Sequence, residues 1–407
     1  MYRHVIGVME FPAIEPNTTV AETKDKPAVL QILPSLETGG VERGTVDIAR
    51  ALVQAGWTSL VASSGGIMVR EVQRAGAVHI DLPADSKNPL VMRRNVKRIA
   101  ELVRLYNVDI LHARSRAPAW SALAAANRTG VHFVTTFHGN YTARNPVKRW
   151  YNSVMARGHR VIAISEFIAE QVCSRYGADP EKVRIIPRGV DTSLFDPAAV
   201  SAQRVIQLAE QWRLPDDYRI VMLPGRLTRW KGHWVLIEAL ARLEDRTNLR
   251  CILVGSDQGR SGYVRELESE IARRGLQGVV QIVGDCRDMA AAFMLADVVV
   301  STSIEAEAFG RVIAEAQAMG RPVIATDHGA ARETVAQGET GWLVAPGDAS
   351  ALAAALREAL GLAPSAREAL AGRVIANVRN DYTKELMCER TLTVYEEVLS
   401  EPRNNGG

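Results

Sequence analysis

The chain has 407 residues, 47% hydrophobic and 23% charged, which describes a globular protein with material for two full cores. No run of about 20 apolar residues predicts a membrane-spanning helix, no basic start leading into an apolar run predicts a signal peptide, and four scattered cysteines (Cys173, Cys251, Cys286, Cys388) without a CxxC argue against a zinc site or disulfide framework and suit a reducing cytoplasm. The net charge of +3 divides unevenly: residues 1–200 hold 25 Lys and Arg against 18 Asp and Glu, a surplus of 7, so the first half is expected to meet an anionic surface or substrate.

Residues 1–27 carry Pro12, Pro16 and Pro27 without a clear period and read as a mobile arm. Ala28 to Leu33 is predicted as the first strand, followed by a Gly39-Gly40 turn and a helix from Val41 to Ala55. Strands at 58–62, 77–82, 109–112, 133–137 and 160–164 then alternate with helices at 90–106, 117–128 and 146–157. A strand running from Val183 into a turn at Asp191, and a linker at Thr192 to Pro197, close this series. After a helix at 200–212 the pattern restarts with strands at 218–223, 249–254, 279–283, 298–300, 322–326 and 341–344. Helices at 231–243, 261–274, 287–294, 330–336 and 349–361 accompany them, and a final helix spans about 382–399. Strands separated by helices imply parallel sheets covered on both faces. The expected class is therefore α/β, with two doubly wound units over 28–197 and 198–380. Ligands bind such sheets beyond the carboxyl ends of the strands, and with two units the cleft between them is the expected site.

The stretch 298–320 organises the chemistry. The apolar run Val298 to Val300 leads into a polar loop with Glu305 and Glu307, and Gly310 opens an alanine-rich helix that stops at Gly320. Glu307 and Glu315 are eight residues apart, which leaves them roughly 80° apart around a helix axis and about two turns apart in height. Both can face one crevice, into which the free N–H groups of Phe309, Gly310 and Arg311 would also point. Acids for hydroxyls and a helix start for phosphate suit a nucleotide sugar. Gly225-Arg226-Leu-Thr-Arg-Trp-Lys231-Gly232 follows the strand ending at Leu223, and its two cations could clamp a diphosphate as it leaves. Gly255 stands in a Gly-containing loop after another strand. Gly39-Gly40 can bring backbone N–H groups against a phosphate or sugar. His138 ends the Phe133–Phe137 strand beside Gly139, where a neutral imidazole can donate to a sugar hydroxyl, and His112 is placed similarly. Ser165 and Asp348 read as helix N-caps.

Glu307-Ala-Phe-Gly-Arg-Val-Ile-Ala-Glu315 resembles the E-x7-E signature of the retaining family 4 glycosyltransferases, and the likeness runs from about residue 29 to about 360. The resemblance extends loosely to bacterial lipopolysaccharide core glycosyltransferases. It implies the GT-B fold, two Rossmann-like domains facing each other across a cleft: an acceptor domain over 28–197, a donor domain over 198–380, and a last helix at 381–400 that packs back on the first. It implies Arg226 and Lys231 on the donor diphosphate, Glu315 on the ribose, Glu307 and His138 on the sugar, and Gly39, Gly40 and Gly255 close to the ligand. The family needs no metal or cofactor, and the chain has no Asp-x-Asp triplet. Arg188-Gly-Val-Asp191 departs from the family's usual Asn-Gly-Val-Asp turn. The expected function is transfer of a hexosyl group from a nucleoside-diphosphate sugar to a hydroxyl of a cell-envelope glycan or glycolipid, such as a lipopolysaccharide core. An epimerase of the same fold and a non-catalytic nucleotide-sugar or lipid-binding module are the alternatives. The basic stretch 86–160 holds 14 Lys and Arg against Glu101 and Asp109. It predicts peripheral contact with the anionic inner face of the cytoplasmic membrane, and no recognisable module points to nucleic acid.

Overall fold

The computed structural model describes residues 26–141 and 145–402. The predicted N-terminal arm lies outside the described residues apart from Lys26 and Pro27.

Seven short strands form the first sheet: β1 (Ala28–Ile32), β2 (Thr58–Ser63), β3 (Val78–Asp81), β4 (Ile110–Ala113), β5 (His132–Phe137), β6 (Arg160–Ala163) and β7 (Val183–Ile185). All pairings are parallel, in the order 3-2-1-4-5-6-7. Six strands form the second: β8 (Arg219–Pro224), β9 (Leu249–Val254), β10 (Val280–Gly284), β11 (Val298–Ser301), β12 (Val323–Thr326) and β13 (Trp342–Val344). These are also parallel, in the order 10-9-8-11-12-13. The strands read as continuous apolar runs because helices cover both faces. In β1, Leu30 and Ile32 pack toward the helices Pro89–Leu105 and Arg116–Thr129, while Val29 packs toward Gly40–Gln54 and Lys384–Leu399. In each sheet the strand order reverses once, between β1 and β4 and between β8 and β11. The loops leaving those strands diverge there, which opens a crevice at the carboxyl ends.

Several expected boundaries move. The helix expected at 330–336 is one turn, Ala331–Thr334, because the chain extends at Val335 (φ −122°) and bridges Gln337 to Gly341. The helix expected at 146–157 stops at Ser153 and continues as the 3-10 turn Val154–Ala156. Two helices were not foreseen, Val69–Arg74 and Pro364–Asp381. The second is exposed on most of its surface and buries only Leu370, Val374 and Val378, a narrow stripe at four-residue spacing in a polar sequence. Ser165 and Asp348 are caps as expected: Ser165 Oγ accepts from Ile168 N at 3.1 Å, and Asp348 Oδ1 accepts from Ser350 N and Ala351 N at 2.9 Å.

After Asp381 the chain returns to the first sheet. Val190 N donates to Tyr382 O (2.7 Å) and Lys384 N donates to Val190 O (2.9 Å), so the outgoing and returning segments run side by side. The helix Lys384–Leu399 then buries Met387, Val394, Tyr395 and Val398 against Val29, Ile48 and Leu52. Glu397 accepts from Arg160 Nε (2.9 Å) and from Arg184, and Glu401 accepts from Arg160 Nη2 (2.5 Å). His112 belongs to this seam and not to the cleft: its ring lies between Tyr395 Oη (2.5 Å) and Thr136 Oγ1 (2.7 Å), fully buried.

The two crossings touch so closely that a methyl group on Gly189 would stand 2.4 Å from Lys384 Cα and 2.8 Å from Thr383 O. Backbone cannot yield as a flexible side chain can. Gly189→Ala is therefore expected to destabilise the protein by about 1–3 kcal/mol, the usual range for forced overpacking. An unchanged melting temperature for that variant would contradict this account of the crossing.

Candidate active site

The second sheet's switch point supplies two loops that are tied to each other. Gly232, at φ +67°, ends the loop after β8, and a Cβ there would lie 2.0 Å from Thr302 O in the loop after β11. Only glycine permits both that backbone conformation and that approach. Thr302 Oγ1 donates to the carbonyls of Lys231 (2.9 Å) and Gly232 (3.0 Å), and Ile304 N donates to Trp230 O (2.7 Å). This stitching brings Lys231 Nζ to 2.7 Å from Glu307 Oε1, with the two side chains only 11% and 19% exposed. Ser301 Oγ (3.2 Å) and Ser303 Oγ donate to the same oxygen, so Oε2 has no partner among the described residues. Burial pushes the Glu307 carboxyl up, but the Lys231 charge and the three donors outweigh it and hold the pKa below the ordinary glutamate range. Glu307 is therefore an ionised acceptor at neutral pH.

The helix Arg311–Ala318 starts at Gly310, whose φ of +79° favours glycine and whose missing side chain leaves open space. The N–H groups of Phe309, Gly310 and Arg311 have no partner among the described residues. Phe309 is buried against Tyr382, ring centroids 5.7 Å apart, which anchors the loop. Glu315 lies one turn further on. Burial raises its pKa, opposed by Arg311, whose Nε is 3.0 Å from Oε1.

These loops face a cavity of about 520 Å³ whose opposite wall comes from the first sheet. Of the residues singled out in the sequence, Arg226, Glu307, Phe309, Gly310 and Arg311 line it from one side, and Gly40 and His138 from the other. Lys231 is held behind Glu307, and Glu315 stands behind Arg311. Gly39 is exposed at the start of the helix Gly40–Gln54 and stands outside the wall. Gly255 also stands outside it: at φ +154°, a Cβ there would meet Gly225 O at 2.0 Å, so glycine lets the loops after β8 and β9 pack together.

His138 presents two ring nitrogens that are shielded from solvent and have no hydrogen-bond partner. Burial and then the nearby Arg188, Arg114 and His112 push its pKa well below the ordinary histidine value, so the ring is neutral. Sequence reading missed Ser301 and Ser303, although a Ser-Thr-Ser run closing a strand is a visible signal. It also missed Trp230, Asn140 and Tyr141, which line the cavity and carry no spacing signal at all. The Arg116 guanidinium covers the Tyr141 ring at 4.0 Å. Beyond that pair lies a second cavity of about 810 Å³, lined in part by Lys87, Arg116, Lys148, Trp150 and Tyr151. Among the described residues no group of three or more His, Cys, Asp or Glu side chains could hold a metal ion, and no helix is long and apolar enough to cross a membrane.

Two family models match the chain: Glycosyltransferase Family 4 over residues 38–194 and Glycosyl transferases group 1 over residues 206–373. A glycosyltransferase structure from Rickettsia africae superposes with a TM-score of 0.86 at 38% identity, covering 93% of this chain and 100% of that one. The chain belongs to this glycosyltransferase family. Curated relatives agree. The putative glycosyltransferase EpsD of Bacillus subtilis is 30% identical over 74% of this chain and 79% of its own. The D-inositol 3-phosphate glycosyltransferase of Jonesia denitrificans is 28% identical over 80% and 84%. The two facing sheets are those of a GT-B glycosyltransferase.

In this glycosyltransferase the Lys231–Glu307 pair is structural as well as polar. Lys231→Met would strand a buried carboxylate, and losing one partner of such a pair costs about 3–5 kcal/mol. The sign with pH follows. The depressed Glu307 pKa means that the pair's stabilisation is present above the ordinary glutamate pKa and is lost as pH falls through the lower folded value. In the variant, the stranded carboxylate is relieved by protonation. The stability gap between wild type and Lys231→Met, read from urea unfolding, is therefore expected to be full at pH 7 and to shrink on acidification. A gap independent of pH would mean that the pair is not the source.

Proposed function

We propose that this glycosyltransferase moves a hexosyl group from a nucleoside-diphosphate sugar to a hydroxyl of a cell-envelope glycan or glycolipid, with retention at the anomeric carbon. The observation that carries the reading is the convergence on one cavity of Arg226, the partnerless N–H groups at 309–311 and the free Oε2 of Glu307, opposite neutral His138. The diphosphate sits on Arg226 and the helix start, with Lys231 adding positive charge from behind; no metal is needed for this charge. Glu307 Oε2 accepts from sugar hydroxyls, and His138 donates to another. Glu315 takes the ribose hydroxyls while Arg311 turns toward phosphate.

In the reaction the bond between the anomeric carbon and the phosphate oxygen breaks. The acceptor oxygen bonds to the same face, and its proton passes to the departing phosphate. The protein's part is to hold the acceptor hydroxyl beside the departing phosphate on one face of the sugar, stabilise the charge growing on the phosphate and exclude water.

The second cavity suits the acceptor. Its cations Lys87, Arg116 and Lys148 favour an anionic glycan of the lipopolysaccharide-core kind, and Trp150 and Tyr151 offer flat apolar faces to sugar rings. The name of the Jonesia denitrificans relative points to a phosphorylated cyclitol, and a phosphate on a small acceptor would suit the same cations. Arg93, Arg94, Lys97, Arg98 and Arg104 are exposed on the helix Pro89–Leu105, near Leu90 (66% exposed), and Trp150 is 58% exposed. That surface supports peripheral binding at the cytoplasmic face of an anionic membrane.

A thermal-shift panel of UDP-, GDP- and ADP-sugars is expected to pick out one base, and the absence of stabilisation by any of them would sink the donor reading. Arg226 is exposed and outside the tied pair, so Arg226→Ala is the clean test of the clamp. It is expected to lower kcat by about 10²-fold or more, the cost of losing one donor to a developing oxyanion, at an unchanged melting temperature. Near-normal turnover would refute the clamp.

A further inference from the structure

Across the cleft from the Lys231–Glu307 pair, three guanidinium groups meet at the first turns of the helix Gly40–Gln54. A methyl group on Gly40 would lie 3.5 Å from Arg311 Nη1 and 3.7 Å from Arg188 Nη2. On Gly44 it would lie 3.0 Å from Arg188 Nη1 and 3.3 Å from Arg114 Nη2. Arg188 comes from the turn after β7 and lines the cavity, and its Nη1 donates to Gly40 O. Arg114, after β4, is 2% exposed, and its Nε and Nη1 have no partner. The start of the helix has no side-chain cap. His138, with two partnerless nitrogens, borders both arginines.

No ion pair among the described residues includes Arg114 or Arg188. Glu42 attracts Arg188 from further away. Burial, then the repulsion of Arg114 and Arg311, pulls Arg188 down to about 9, which leaves it charged at neutral pH. Asp47 and Glu42 also act on Arg114 from a distance, and a buried charge without a contacting counter-charge is costly. The cost disappears when an anion arrives, and arginine's planar fork matches two oxygens of a phosphoryl or carboxyl group.

We propose that Arg188, with Arg114 behind it, is an oxyanion-binding residue of the cleft, holding a phosphoryl or carboxyl group of a substrate against the first turn of Gly40–Gln54. The proposal deepens the glycosyl-transfer reading and rests on it for the source of the anion: the donor's distal phosphate, or an acidic substituent of the acceptor. An asparagine at this position could give one neutral hydrogen bond and no charge.

Two calorimetric titrations at neutral pH separate the sources. In the first, inorganic pyrophosphate is titrated into wild type, Arg188→Asn, Arg188→Lys and Arg226→Ala. In the second, inorganic phosphate is titrated into the same proteins saturated with the tightest-binding nucleoside diphosphate. If Arg188 holds the donor's phosphate, Arg188→Asn weakens pyrophosphate binding about tenfold or more, the scale of one charge-assisted hydrogen bond, and Arg188→Lys recovers part of the loss. If it holds an acceptor's anion, pyrophosphate binding is unchanged and phosphate binding to the saturated protein is lost. In both cases the ligand-free Arg188→Asn protein melts no lower than wild type, because an uncompensated charge has been removed; a merely structural arginine would lower it. If Arg188→Asn does not fold, Arg188→Gln, which also removes the charge, carries the same two readings. Affinities within about twofold of wild type in both titrations overturn the proposal. A defect confined to Arg226→Ala would then leave the donor clamp standing, whereas no defect in any variant would remove the clamp as well.

Discussion

The Lys231–Glu307 ion pair is the contact on which the second sheet's wall of the cavity depends. It joins residues 76 positions apart, on loops that leave the two strands flanking a topological switch point. A nearly buried pair of this kind repays its desolvation only when its remaining valences are filled. Here Ser301 and Ser303 fill them on one carboxylate oxygen, and Thr302 fastens the backbone carbonyls beside the lysine. Gly232 lets the loops approach within hydrogen-bond range. The result is a carboxylate held ionised and aimed, with one oxygen used internally and the other left for a ligand.

The two walls of the cleft handle charge in opposite ways. On the second sheet's side two cations have an acid: Lys231 has Glu307, and Arg311 has Glu315. On the other side Arg114 and Arg188 share a buried space with a neutral histidine and have no acid in contact. An anionic ligand in the cavity would therefore meet one wall whose hydrogen bonds are already arranged and another whose charge is unsatisfied. On the proposed reading, preorganisation on the first side would limit reorganisation during reaction, and the unsatisfied charge on the second would favour a ligand that bridges the gap.

Bridging matters because the halves are joined by few elements. The crossings at Val190 and Tyr382–Lys384 run together, and the last helix is fastened to the first sheet by its apolar face and by Glu397 and Glu401. Further contact comes from Glu333 in the second half, which accepts from Glu166 N (2.8 Å) and Phe167 N (2.9 Å) and so caps the helix Glu166–Tyr176 across the boundary. Tyr382 Oη donates to Glu333 O at 2.5 Å, placing the returning chain at the same spot. The contacts between the halves are thus gathered along one edge of the cleft.

What the sequence determined alone was whatever local order encodes. The alternation of apolar strands and amphipathic helices implied two parallel sheets, because period and breaker residues act over a few positions. The acids eight residues apart, the Gly-rich basic loop after β8 and the histidine ending β5 could be assigned to strand ends for the same reason. The helix Pro364–Asp381 escaped because its buried stripe is one residue wide and three long in a polar sequence. Tertiary structure alone decided which charges meet. It set Lys231 on Glu307, Arg311 on Glu315, and Arg188 beside Arg114 without an acid, and it turned His112 into a strut and Gly255 into a packing point. Those outcomes depend on how close loops from distant strands come once both sheets have closed, and no spacing along the chain carries that distance.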